Sequence, residues 1–156
     1  MVRVHRESAR VLPVSPDGEV LLLQDTDPGN PSRGAYWTSI GGAIDPGEDA
    51  VRAAARELWE EAGVRVLPEA LVGPVQIHAD EYSRNGVDYS GHNAYFALAL
   101  DRGVEISFAN LEPIEVGSVV QAGWWTPDKL RAEGTATPGA LPDIMEIAIK
   151  AVRGES

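Results

Sequence analysis

Residues 49–62 constrain the fold more than any other part of the chain, because their apolar side chains recur at helical spacing. The apolar stripe consists of Val51, Ala54, Ala55, Leu58 and Ala62. Gly63 follows directly and suits the left-handed backbone conformation that ends many helices, and Val64 can pack back on that end. A helix with one apolar face buries that face against another layer, so this segment predicts a helix packed on further structure.

Turn residues and apolar runs predict a hairpin, a loop and a second helix. Residues 9–14 and 19–23 are apolar runs on either side of a Ser-Pro-Asp-Gly turn, which predicts a β-hairpin. Residues 25–35 contain two prolines, two glycines and Asn30, which is typical of a surface loop. Residues 141–152 carry a second apolar stripe at helical spacing.

The middle of the chain predicts further strands. Residues 64–67, 72–77 and 94–100 are apolar enough for strands, whereas the polar stretch 80–92 predicts a loop and residues 111–123 give no clear prediction. This order of strands and helices predicts an α/β fold. It has a mixed sheet with helices at about 49–62 and 141–152, in one domain of residues 1–156.

The late Trp-Trp pair predicts one core side chain and one partly exposed side chain, at the start of a turn and a helix. Trp124 and Trp125 are adjacent, so in an extended chain their side chains point to opposite faces of the sheet. Pro127 is well placed in the first turn of a helix.

Charge and cysteine content exclude several classes of function. With 13 basic and 24 acidic residues the net charge is −11, so neither nucleic acid nor an anionic membrane surface is expected as a partner. The chain has no cysteine, which excludes disulfides, thiolate metal sites and cysteine nucleophiles. Residues 1–7 include charged side chains and lack the apolar core of a signal peptide. No apolar run approaches the length of a membrane span, so we expect a soluble cytoplasmic protein.

Three carboxylates on the predicted first helix suggest a metal site. Glu57 and Glu61 are four residues apart and Glu60 is three residues from Glu57, so all three can lie along one edge of the helix. Like charges at these spacings repel, and a cation between them would reverse that effect. Clustered carboxylate oxygens suit a hard divalent ion such as Mg²⁺, although a solvated acidic face is the simpler interpretation of such a cluster on its own.

The spacing around these glutamates resembles the Nudix box. The pattern is Gly, five residues, Glu, seven residues, Arg-Glu, an aliphatic residue, one residue, Glu-Glu, one residue, Gly and an aliphatic residue. Its nine positions are filled by Gly42, Glu48, Arg56, Glu57, Leu58, Glu60, Glu61, Gly63 and Val64. A Trp before the paired glycines is also similar to the family, although Ile40 stands where proline is usual.

The resemblance implies a fold, a reaction and roles for the box residues. It implies an α/β/α sandwich and a Mg²⁺-dependent hydrolase, with Mn²⁺ as the alternative ion. The substrate would be a nucleoside diphosphate linked to another moiety. Nucleoside triphosphates, ADP-ribose, dinucleoside polyphosphates and nucleotide sugars all stay open. The resemblance assigns metal binding and catalysis to Glu57, Glu60 and Glu61, and structural roles to Gly42, Glu48, Arg56 and Gly63.

Residues outside the box are weaker candidates for substrate binding and proton transfer. Tyr36, Trp37, Arg33 and Trp125 could contact a small-molecule nucleotide, although core packing is at least as reasonable for Trp37. In some members of the family the general base is an acidic residue on a distant loop. The candidates for that base here are Glu81, Glu112 and Glu115, beside the box glutamates Glu57 and Glu60.

Two further expectations follow from the resemblance. Members of the family often form dimers, which allows a homodimer here. The alternative function is a catalytically inactive nucleotide-binding regulatory module on the same fold. Such modules usually have altered box glutamates, and this chain keeps all three.

Overall fold

The computed structural model describes residues 3–155, except for the side chain of Ile114. Met1, Val2 and Ser156, the ends of the predicted domain 1–156, lie outside the described residues. The seven strands are β1 (Val4–Val14), β2 (Val20–Asp25), β3 (Tyr36–Thr38), β4 (Ile40–Ala43), β5 (Val72–Arg84), β6 (Val87–Ala99) and β7 (Val119–Trp125). The three α-helices are α1 (Ala50–Ala62), α2 (Pro127–Glu133) and α3 (Leu141–Arg153).

All seven strands form one mixed sheet, as predicted. Its main path runs β3-β2-β1-β6-β5, with β4 paired to β1 and β7 paired to β2. The pairing of β1 with β6 is parallel, and the other pairings are antiparallel. The long β1 pairs with β4 over residues 8–11 and with β2 at its far end, so one strand connects the glycine-rich segment to the rest of the sheet.

Side chains of β1 alternate between two core clusters, one on each face of the sheet. Val11 faces the cluster that includes Leu58 of α1, and Leu12 faces the cluster that includes Met145 of α3. This alternation is the expected consequence of the two-residue period of a strand. The result is the α/β sandwich that the sequence predicts, with helices on both faces of a mixed sheet.

The predicted helices are confirmed, including their ends. The side chain of Asp49 accepts a hydrogen bond from the backbone N–H of Arg52 and caps α1, and Gly63 ends the helix in the left-handed conformation at φ 71°. Pro127 begins α2, and α3 matches the predicted 141–152 segment within a residue.

Further sequence-based predictions hold in the sheet and in the loop before β3. The hairpin of β1 and β2 forms, with Val14 opposite Val20. Residues 26–35 form a loop that contains one short turn of 3₁₀-helix. Trp124 and Trp125 pack against opposite core clusters.

Two predictions in the middle of the chain are wrong. Residues 64–67 have no regular structure, because the chain leaves α1 over Gly63 and then turns through a short 3₁₀-helix. The predicted loop 80–92 consists of the ends of β5 and β6, which pair around a two-residue turn at Asn85-Gly86 with φ of 53° and 77°. Asn-Gly between two strands is a strong hairpin signal, and the polar character of both strands concealed it.

The remaining segments add one strand and no membrane span. Residues 111–123 contain a short 3₁₀-helix at Pro113–Glu115 and the first part of β7. Within residues 3–155, none of the helices has the length and apolar character that crossing a bilayer requires.

Candidate active site

A cavity of about 370 Å³ opens beside the C-terminal part of α1. One wall carries Glu57 and Glu61 of α1 together with the backbone of Gly41 and Gly42. The rest of the lining comes mainly from β1, β5, β6 and the loop after β2. The cavity therefore brings the glutamates of the first helix into contact with residues from several distant parts of the chain.

Backbone geometry seats the two innermost glutamates. The carboxylate of Glu61 accepts a hydrogen bond from the N–H of Gly41 at 2.6 Å. A Cβ atom at Gly42 would lie 2.6 Å from Oε1 of Glu57, so this carboxylate fits only because Gly42 has no side chain. Both glutamates are more than nine-tenths buried, with 6% and 5% of their surface exposed.

Arg56 ties the glycine-rich loop to the helix. Its Nε and Nη2 each donate to Glu48 at 2.9 Å, in a bidentate pair, and Nη2 also donates to the carbonyl of Ala43 at 3.0 Å. Its Nη1 donates to Glu57 at 3.1 Å and to Glu60 at 3.1 and 3.2 Å. Arg56 is therefore a positioning residue that orients the carboxylates, and its own charge is already shared with Glu48.

Glu115 lines the same cavity as the inner glutamates. It comes from the short 3₁₀-helix between β6 and β7 and is close enough to raise the pKa of Glu61. Its charge also acts on Glu57 and Glu60. Glu112 lines the same cavity and is more exposed.

Burial and mutual repulsion raise the pKa values of the acidic cluster. Burial raises the pKa of Glu57 to about 7, with smaller contributions from Glu60 and Glu115. The pKa of Glu61 is raised well above its usual value by burial and then by Glu115. Burial also raises the pKa of Glu60, whereas the hydrogen bonds from Arg56 lower that of Glu48.

These carboxylates fit a hard divalent cation. Glu57, Glu61 and Glu115 line the cavity, and Glu60 lies beside them through its hydrogen bonds to Arg56. Arg56, the cation beside them, is already bound to Glu48. Buried carboxylates of this kind either hold protons or share a cation, and oxygen donors are the ligands that Mg²⁺ prefers. Glu57, Glu60 and Glu61 could hold such an ion, with Glu115 close by.

Arginines of β1 form a second wall of the cavity, next to the glycine-rich segment. Arg6 and Arg10 lie on the same face of β1, and both line the cavity. Arg10 donates to Asn93 at 3.2 Å and to the carbonyls of Ser39 and Gly41 at 3.3 and 3.2 Å. The buried Nε of Arg6 has no hydrogen-bond partner among residues 3–155. These guanidinium groups provide local positive charge in a chain whose net charge is −11.

A third arginine joins the tip of the β5–β6 hairpin to β2. Nη1 of Arg84 donates to Asp25 at 2.8 Å and to the hydroxyl of Tyr36 at 3.2 Å. The carboxylate of Asp27 accepts from the backbone N–H groups of Gly29 and Asn85 at 2.9 and 2.8 Å. The hairpin tip is thereby held over one end of the cavity.

The weaker sequence-based candidates divide between the cavity and other places. Tyr36 and Arg33 line the cavity, with the guanidinium of Arg33 3.9 Å from the centre of the Tyr36 ring. Trp37 and Trp125 pack edge to face in the core cluster next to α3, so the structure places them in the core. Glu81 is exposed on β5, where it forms an ion pair with Arg3 at 2.7 Å.

Sequence reasoning missed most of the cavity lining outside the first helix and the glycine-rich segment. Arg6, Arg10 and Asn93 were not predicted, nor was the stacked pair Tyr82–Tyr89, whose ring centres are 5.1 Å apart. The alternation of Arg6 and Arg10 with the apolar Ala9 and Val11 on one strand was an available signal. It indicated a polar face of β1 but not what that face meets.

Comparison with known proteins identifies a family match over most of the chain. The model of the NUDIX domain matches residues 4–143. Phosphatase NudJ of Escherichia coli (strain K12) is 36% identical over 59 residues, which are 38% of this chain and 36% of that protein. An octanoyltransferase of Myxococcus xanthus is 43% identical over 51 residues, which are 33% of this chain and 13% of that protein. The chain therefore spans about a third or less of the length of these curated relatives.

Solved structures share the fold. The E. coli dihydroneopterin triphosphate pyrophosphohydrolase matches with a TM-score of 0.66 at 22% identity, over 97% of this chain and 99% of that chain. At this identity the likeness concerns the architecture alone.

Proposed function

This chain belongs to the Nudix family, and from that membership we propose that it is a Mg²⁺-dependent hydrolase of a diphosphate linkage. Its substrate would be a nucleoside diphosphate joined to another group. The observation that supports this most strongly is the convergence of Glu57, Glu61 and Glu115 on one cavity that also presents Arg6 and Arg10.

The acidic wall would hold the ion that the reaction needs. Glu57, Glu60 and Glu61 would be its protein ligands, with Arg56 holding the carboxylates of Glu57 and Glu60 and the N–H of Gly41 holding that of Glu61. When bound, Mg²⁺ would neutralise charge on the diphosphate and promote ionisation of the attacking water. Mn²⁺, with the same preference for oxygen ligands, stays the alternative ion.

Glu115 is the best-placed residue to accept the proton of the attacking water. It comes from a separate loop and acts on Glu61. Glu48 and Glu60, in contrast, accept hydrogen bonds from the guanidinium group of Arg56. A carboxylate in this position can take a proton while water attacks phosphorus in line with the leaving group. Glu112 is a second candidate at the more exposed rim, and Glu81 is bound to Arg3 away from the cavity.

The arginine wall would orient the substrate. Arg6 and Arg10 present guanidinium groups to phosphate oxygens, for which their planar donors are suited. Tyr36, Tyr82 and Tyr89 supply aromatic rings on which a base could stack. Which of the four substrate classes supplies the leaving group stays open. The cytoplasmic location and the homodimer stay predictions.

The test is product release from a panel of nucleoside triphosphates, ADP-ribose, dinucleoside polyphosphates and nucleotide sugars, with and without Mg²⁺. We expect Mg²⁺-dependent release of a phosphate-containing product from at least one compound. Glu61→Gln should lower the rate by about a hundredfold or more, because it removes charge from an innermost carboxylate of the proposed metal site.

Glu133→Gln is the matched control, since Glu133 is exposed at the end of α2 and should leave the rate unchanged. Equal rates with and without Mg²⁺ would refute the metal dependence. Tight nucleotide binding without turnover of any compound would instead support the inactive regulatory module.

A further inference from the structure

We propose that His5, Glu7 and His92 form a second metal site, for a borderline transition ion of the Zn²⁺ class, outside the active-site cavity. One ligand atom from each of the three residues lies within 4.8 Å of the others. The two histidines are 87 positions apart in the sequence, and their spacing alone predicts no metal site. Only the pairing of β1 with β6 brings them together.

The register of two paired strands places the three side chains on one face. His5 and Glu7 are two residues apart on β1, so they point to the same side of the sheet. Glu7 is the direct partner of His92 in the parallel pairing of β1 with β6. The strand pairing fixes the backbone of all three residues, so their Cα positions are set before any ion binds.

The distances between ligand atoms suit tetrahedral coordination. Nε2 of His5 is 3.6 Å from Oε1 of Glu7, and Nδ1 of His92 is 3.3 Å from the same carboxylate. Bonds of about 2.0–2.1 Å to a tetrahedral Zn²⁺ place neighbouring ligand atoms about 3.3–3.5 Å apart. The two histidine rings are 6.0 Å apart between centres, so a small rotation of the exposed rings closes the third edge.

A further hydrogen bond orients the carboxylate. The backbone N–H of His92 donates to Oε2 of Glu7 at 3.1 Å, which leaves Oε1 directed toward the rings. Hydrogen bonds of this kind hold ligands in place at many metal sites. Two imidazoles and one carboxylate are a donor set for Zn²⁺ rather than Mg²⁺, which prefers oxygen ligands alone.

This site and the active-site cavity lie on opposite faces of β1. Arg6 and Arg10 face the cavity, whereas Glu7 and His92 border a separate apolar hollow with Ile44 and Ile77. The carbonyl of Glu7 also accepts the backbone N–H of Ile44, which directly follows β4. An ion here would therefore link β1 to β6 beside the glycine-rich segment and stabilise the pairing of these two strands.

Zinc binding by protein without a polyhistidine tag tests the site. Equilibrium dialysis at micromolar free Zn²⁺ and saturating Mg²⁺ would compare the native chain with His5→Gln, His92→Gln and His78→Gln. His78 is the matched control, because it pairs with Asn93 and so lies on the opposite face from His92. We expect one Zn²⁺ fewer per chain in His92→Gln, at least a tenfold weaker affinity in His5→Gln, and no change in His78→Gln.

Two further readouts separate this site from the glutamate cluster. Zn²⁺ should raise the Tm of the native chain and not that of His92→Gln. Co²⁺ should give visible absorption typical of four-coordinate nitrogen and oxygen ligands, which is lost in the same variant and kept in Glu61→Gln. Equal zinc stoichiometry in all four proteins, or an equal loss in His78→Gln, would overturn the proposal whatever the hydrolase assay shows.

Discussion

The position of the Glu57 carboxylate depends on the absence of a side chain at Gly42. The Glu57 carboxylate occupies the space that a Cβ at this position would take. Gly42→Ala should therefore displace Glu57 and lower the rate of hydrolysis by about a hundredfold, because small misplacements of reacting groups are costly. Steady-state kinetics and crystallography of the variant measure both effects.

Gly139→Ala is the control for this substitution, because a Cβ there meets no atom within 4 Å. We expect native activity and a native Tm for the control. A Gly42→Ala enzyme with unchanged kcat would show that the position of Glu57 does not limit catalysis.

Glu115 provides a second test at the scale of single residues. Glu115→Gln should lower kcat by about 10²–10⁴-fold at saturating Mg²⁺, the usual range for removal of a general base. Glu81→Gln should have a far smaller effect, because Glu81 lies at the surface with Arg3. A larger loss in Glu112→Gln than in Glu115→Gln would reassign the base.

The tip of the β5–β6 hairpin is joined to β2 by one ion pair. Arg84 joins it to the buried Asp25 of β2, and the Asp27 carboxylate pins the turn. Arg84→Gln should lower the free energy of unfolding by about 1–3 kcal/mol, because it leaves a buried carboxylate without its charged partner. The KM should rise more than kcat falls, since the hairpin borders the cavity.

A neighbouring exposed pair on the same hairpin supplies the control. Arg3→Gln removes the ion pair with Glu81, whose side chains are 48% and 70% exposed, and should change stability by less than about 1 kcal/mol. Denaturant unfolding and kinetics of both variants compare the two pairs. Equal effects would mean that the Arg84 pair does not hold the hairpin.

At the scale of the whole molecule, the acidic cluster makes stability depend on pH and metal. The pKa of Glu57 is raised from 4.5 to about 7, so the folded state binds this proton more tightly than the unfolded state. The resulting stabilisation is complete below about pH 4.5 and is lost as the pH rises through about 7. The lowered pKa of Glu48 acts at more acidic pH, outside this window.

Without divalent ions, the Tm should therefore fall between about pH 5 and pH 8. Mg²⁺ binds the ionised carboxylates, so it should raise the Tm more at pH 8 than at pH 5.5. Calorimetry at constant ionic strength measures both slopes, and Glu57→Gln should flatten the metal-free slope. A metal-free Tm that rises over this range would contradict the assigned cause.

Local sequence determined the helices, the first hairpin and the acidic wall of the site. Periodicity predicted α1 and α3, Gly63 marked the end of α1, and spacing along a single helix grouped Glu57 with Glu61. These features depend on residues close in the chain, which is why a pattern of a few positions was enough to predict them.

Only the tertiary structure decided which distant residues come together, both in the cavity and at the proposed zinc site. Arg6, Arg84 and Glu115 reach the cavity from β1, a hairpin tip and a loop, and His5 meets His92 through a parallel strand pair. The polar strands of the β5–β6 hairpin read as a loop because both of their faces carry polar residues. Contacts between residues far apart in sequence depend on strand register and packing, and no local spacing encodes either of these.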